Sequence, residues 1–90
     1  MEHVIMQERV LIENGKIVTG KHGIVKFSED INLTKDEWLE LLDKADKVTN
    51  HTYSLNINFG NYQYSLRIGN KRLTENTDYK AWIKKNWSED

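Results

Sequence analysis

The chain has no cysteine and no proline among its 90 residues. Without cysteine there is no disulfide framework, no thiolate nucleophile and no thiolate metal site, and a reducing, cytoplasmic setting is the location expected. No apolar run approaches the roughly 18 residues that a membrane-spanning helix needs. The segment from Met1 to Glu8 has no basic stretch followed by an apolar one, so no signal peptide is expected. Charge of one sign is missing too. Thirteen Lys and Arg face 14 Asp and Glu, for a net charge of -1, whereas nucleic-acid modules more often carry a clear basic excess.

The chemistry of catalysis is equally scarce. His3, His22 and His51 lie far apart and show no metal-ligand spacing. Asp36, Glu40 and Asp43 share a helix side. Paired carboxylates do acid–base work only where burial separates their pKa values, and a solvated helix face does not do that. No serine stands in a G-x-S-x-G elbow. Gly20, Lys21 and Gly23 cluster as in a phosphate loop, but they lack the G-x-x-x-x-G-K-[ST] order and lead into a strand. The expectation is a non-enzymatic protein with no cofactor and no metal.

What the chain does have is aromatic residues, three Trp, four Tyr and two Phe, each able to bury a large apolar area. Ninety residues suit one small domain, spanning 1–90. The first third reads as strands. Val10, Leu11 and Ile12 run into Asn14-Gly15, the signature of a type I′ hairpin turn. That turn sets Glu13 against Lys16, Ile12 against Ile17 and Leu11 against Val18. A turn at residues 20–23 precedes a third strand holding Ile24, Val25 and Phe27, completing a three-stranded meander. Both of its faces carry apolar groups, where a half-buried sheet should alternate. The excess calls for a cover, either the second helix or a bent sheet, or for a partner.

Thr34-Lys35-Asp36-Glu37 has the form of a capping box. The helix it opens is expected to run to about Val48, burying a stripe of Trp38, Leu41, Leu42 and Ala45. Strict alternation follows. Tyr53, Leu55, Ile57 and Phe59 precede Gly60-Asn61, and Tyr62, Tyr64, Leu66 and Ile68 follow it, so a two-residue type II′ turn brings all eight onto one face. A second helix, capped by Asn76 or Thr77, groups Tyr79, Trp82, Ile83, Asn86 and Trp87. The fold class is therefore α+β, an antiparallel sheet in the order βββ-α-ββ-α with two helices packed on it.

Charge is uneven along the chain. Residues 29–46 hold seven acids and two lysines, and residues 67–85 hold six bases and two acids. Two functional expectations follow. The first is a protein-binding accessory or regulatory domain, a phage or mobile-element inhibitor or adaptor in kind, touching a protein partner or a second copy through Leu11, Val18 and Ile24. The bacterial or phage setting rests on abundant Lys, Asn, Ile and Glu, the usage that AT-rich coding produces. The alternative is a nucleic-acid module contacting phosphates through Arg67, Lys71, Arg72, Lys80, Lys84 and Lys85. The Tyr residues that would stack on bases lie in the same stripe as Leu55, Ile57 and Leu66, which favours a core role for them. No membrane contact is expected.

Overall fold

The computed structural model describes residues 4–88. It is α+β, with antiparallel strands and two helices. The elements run β1 (Val4–Glu13), β2 (Lys16–Ile17), β3 (Ser28–Asp30), α1 (Lys35–Lys44), β4 (Lys47–His51), β5 (Ser54–Phe59), β6 (Tyr62–Ile68) and α2 (Tyr79–Asn86). The order is thus βββ-α-βββ-α, one strand more than expected. Across the sheet the strands lie β2-β1-β6-β5-β4, with β3 also on β1. No described helix is long and apolar enough to cross a membrane.

The extra strand is β4, which replaces the expected last turn of the first helix. Thr34 and Glu37 do form the capping box, but the helix ends at Lys44, where Ala45 takes extended backbone angles. Val48 and Thr49 are β-branched and lose side-chain freedom in a helix. They pair instead with Ile57 and Asn56 on the edge of β5. Asp46 fixes the crossing: its amide donates to the Asn58 carbonyl, and its carboxylate accepts from the Gly60 amide at 3.0 Å.

Both hairpin registers follow from turn chemistry. Asn14 and Gly15 have φ of 53° and 76°, as a type I′ turn requires. Ile12 pairs with Ile17 and Glu13 with Lys16. Gly60 has φ of 61°, and the second turn sets Phe59 opposite Tyr62, Ile57 opposite Tyr64 and Leu55 opposite Leu66. The three-stranded meander does not form. β3 pairs with β1 rather than with β2, and it covers Ser28–Asp30 rather than the apolar residues before it. Residues 18–26 leave the sheet between the two short strands. They fold back on themselves through Lys26 N–H to Val18 O at 3.0 Å and a Thr19–Val25 bridge. The result is an arm rooted opposite Leu11, whose carbonyl accepts from Val18 and whose amide donates to the Phe27 carbonyl.

The core lies where the helices cover one face of the sheet. Trp38, Leu55, Ile57, Leu66, Ile68, Leu73, Trp82 and Ile83 form one buried cluster. Leu41 and Leu42 are only half-buried at its margin, and Leu73, absent from the expected stripe, belongs to it. Asp78 caps α2, accepting from the Ala81 amide, in place of Asn76 or Thr77. Val10 and Ile12 are also buried, at 5% and 6% exposure, but lie outside this cluster. Val10 is in register with Gln63 and Arg9 with Tyr64, so alternation sets Val10 and Ile12 on the face away from the helices and Arg9 and Leu11 on the helix face.

Candidate functional site

The sheet is longer than its helices. At about 3.4 Å per residue, ten-residue β1 extends roughly 34 Å, whereas helices of ten and eight residues extend about 15 and 12 Å. The molecule measures 40 × 22 × 22 Å. Its apolar side chains are not all covered. Ile17, Ile24, Val25, Phe27 and Phe59 are the exposed large hydrophobic residues among those described. Four of the five lie within residues 17–27, and Phe59 comes from the end of β5. Phe59 is directly opposite Tyr62, and the rings of Tyr62 and Phe27 are 6.2 Å apart. Ile17 pairs with Ile12, whose amide donates to the carbonyl of Asn61 in the β5–β6 turn.

Aromatic rings connect Phe27 to the core. Phe27 meets Tyr62, Tyr62 meets Tyr64 at 6.4 Å, and Tyr64 meets the buried Trp38 edge-on at 6.2 Å. Arg9 crosses the series. Its guanidinium lies 4.6 Å from the centre of the Tyr62 ring, while its Nε faces the carboxylate of Glu29, its neighbour in register on β3. A hydrogen bond from Arg9 to Tyr64, its neighbour on β6, and then the bond and attraction to Glu29 raise the guanidinium pKa above its ordinary value. Arg9 is therefore a cation over the Tyr62 ring, paired with Glu29.

Between Arg9, Tyr64 and Phe59 on the sheet and Glu37, Leu41 and Lys44 on α1 lies an open groove of about 300 Å³. Its charges are mostly engaged. Lys44 pairs with Glu40, whose hydrogen bond and charge raise the ammonium pKa, and Glu37 accepts from the Thr34 amide. The lining holds no His, Ser, Thr, Cys or Asp.

Of the three expected protein contacts, Ile24 stands at the tip of the arm, 67% exposed, and Leu11 and Val18 are half-buried at its root. The second helix does not cover Leu11 and Val18, which lie outside the cluster that α2 joins. Arg9, Phe27 and Phe59 escaped the sequence reading. Phe59 was legible as one of an inward stripe, but not as its exposed member, at the side of α1.

The six basic residues divide. Arg67 donates to the Gly69 carbonyl and to Asn70 and lies 5.2 Å from the centre of the Tyr53 ring. Lys80 pairs with Asp43 of α1. Lys71, Arg72 and Lys85 line a second groove, between α2 and the loop leading to it, and Lys84 is exposed outside its lining. His22 and His51 are exposed, and His3 lies outside the described residues. Among the described residues no three His, Cys, Asp or Glu come together as metal ligands would. In comparisons with known proteins, no family model, no curated protein and no solved structure matches this chain.

Proposed function

We propose that the chain is a protein-binding module that docks its partner on the arm of residues 18–26, the residues Ile17 and Phe27 at its root, and the aromatic side chains of the sheet beside it. One observation carries this reading: four of the five exposed large hydrophobic residues among those described lie on the arm or at its root, and one of them, Phe27, meets Tyr62, which Phe59 opposes. Single exposed apolar residues are ordinary, but several on one short segment are a feature of interaction sites. The surroundings fit as well. Aromatic residues and arginine are enriched at interfaces and carry much of their binding energy, and Arg9 lies among Phe27, Tyr62 and Tyr64.

The test is Ile24→Asp. Ile24 takes no part in the core cluster, so the variant should unfold with the wild-type midpoint. Immobilised wild-type protein should retain a partner, or a second copy by sedimentation, that Ile24→Asp releases. Equal retention by both proteins would remove the arm from the account.

A further inference from the structure

We infer that the groove between α2 and the loop after β6 binds a phosphate group. It lies apart from the arm and stands independently of the protein-binding reading. The groove encloses about 440 Å³, within the range of roughly 300–1,000 Å³ typical of small-ligand sites. Lys71, Arg72 and Lys85 line it, and none of the three has a carboxylate partner among the described residues. The basic residues nearby that do have partners, Arg67 and Lys80, are outside the lining. Asp78 is the one acid in the groove, and its carboxylate accepts from the Ala81 amide at the start of α2. The lining therefore carries three positive charges against one.

The backbone that carries Lys71 and Arg72 is hydrogen-bonded to its neighbours. The Lys71 amide donates to Ile68 O at 3.1 Å, and the Leu73 amide donates to Thr52 O at 2.8 Å with its side chain in the core. The main chain is thus anchored on both sides of Arg72, whose side chain is exposed. Lys85 sits three residues after Trp82 on the helix across the groove, and Trp82 lines it too. Trp82 is 6% exposed, and its indole N–H is a buried donor with no acceptor among the described residues. Basic side chains free of carboxylate partners along one groove, an arginine fork among them, suit a compact, multiply charged oxyanion. A carboxylate offers two oxygens and one charge, whereas a phosphate offers three oxygens and up to two charges. The phosphate could belong to a nucleotide or to a nucleic-acid strand, which share this chemistry.

Three probes test the inference by ¹H–¹⁵N correlation spectra at constant ionic strength: inorganic phosphate, a nucleoside monophosphate and a short single-stranded oligonucleotide. A saturable shift of the Trp82 indole and of the Lys71, Arg72 and Lys85 amides is expected with at least one of them. Preference for the nucleotide identifies a small ligand, and preference for the oligonucleotide identifies a strand. Arg72→Gln with Lys85→Gln should weaken binding by about tenfold or more, whereas Lys84→Gln, outside the lining, should leave it unchanged. The spectra themselves show that each variant is folded. No saturable shift with any probe at millimolar concentration, or equal loss in Lys84→Gln, overturns the proposal.

Discussion

Gln7 ties together three parts of the molecule. It lies on the helix face of β1, directly opposite Leu66. Its Oε1 accepts from the indole of Trp38 at 3.0 Å and from the Leu33 amide at 2.7 Å, and its Nε2 donates to the Leu33 carbonyl at 3.1 Å. One side chain thus anchors α1, the loop that enters it and the central strand. Gln7→Ala leaves the Trp38 N–H, on a fully buried residue, without its acceptor. The expected loss is about 1–3 kcal/mol, read from urea unfolding followed by tryptophan emission. A change under about 0.5 kcal/mol, the level of an ordinary surface substitution, would show that Trp38 is held by packing alone. This contact was not legible in the sequence. Gln7 stands 31 residues from Trp38, and only the pairing of β1 with β6 brings it over the core. The irregular register between Val4 and Met6 adds to the difficulty, because a bulge reverses which residues face inward. Arg9 was hidden for the same reason: its neighbours Glu29 and Tyr64 come from two strands that a local reading does not pair with β1.

Among the elements, those fixed by neighbouring residues were legible. The two hairpin turns set their registers through glycine and asparagine backbone geometry, and the first helix announces its start through Thr34 and Glu37. Where two readings compete, local signals gave the wrong answer. The 45–48 stretch has enough apolar residues to continue a helix, but pairing with β5 prevails. Ile24, Val25 and Phe27 have the composition of a strand, yet the edge of β1 is taken by Ser28–Asp30, and the apolar residues are left in the arm. The arm therefore contributes surface and little core. Lys26 already bonds to Val18 at its base, so residues 19–25 can be replaced by a two-residue Asn-Gly turn without disturbing β2 or β3. The shortened protein should melt within a few degrees of wild type and lose its partner. A large fall in melting temperature would show instead that the arm is a structural brace for Val10 and Ile12, the buried pair outside the main core.

At the scale of the whole molecule, the acidic and basic segments are neighbours in space, since α1 packs on α2 and Asp43 pairs with Lys80. Exposed pairs of this kind contribute roughly 0–1 kcal/mol, so stability rests on the apolar cluster between the helices and the sheet. That cluster and the proposed docking surface are built from different residues, and this predicts that stability and binding can be separated by substitution. Leu66 is fully buried at the centre of the cluster. Leu66→Ala should cost about 2–5 kcal/mol through lost burial and the cavity left behind, while the fraction that remains folded binds the partner as wild type does. Phe27 is exposed at the base of the arm and touches Tyr62. Phe27→Ser should change stability by less than about 1 kcal/mol and weaken binding by 2 kcal/mol or more if Phe27 is an anchor, about thirtyfold in affinity. Substitutions this far apart without shared partners add to within about 0.5 kcal/mol. The double variant should therefore show the stability of Leu66→Ala and the affinity of Phe27→Ser. A marked departure from that sum, measured by urea unfolding and titration calorimetry on the same preparations, would mean that the aromatic series from Phe27 through Tyr62 and Tyr64 to Trp38 couples the two. The surface would then be a part of the core that extends into solvent, and partner binding should stabilise the fold through that connection beyond what mass action alone supplies.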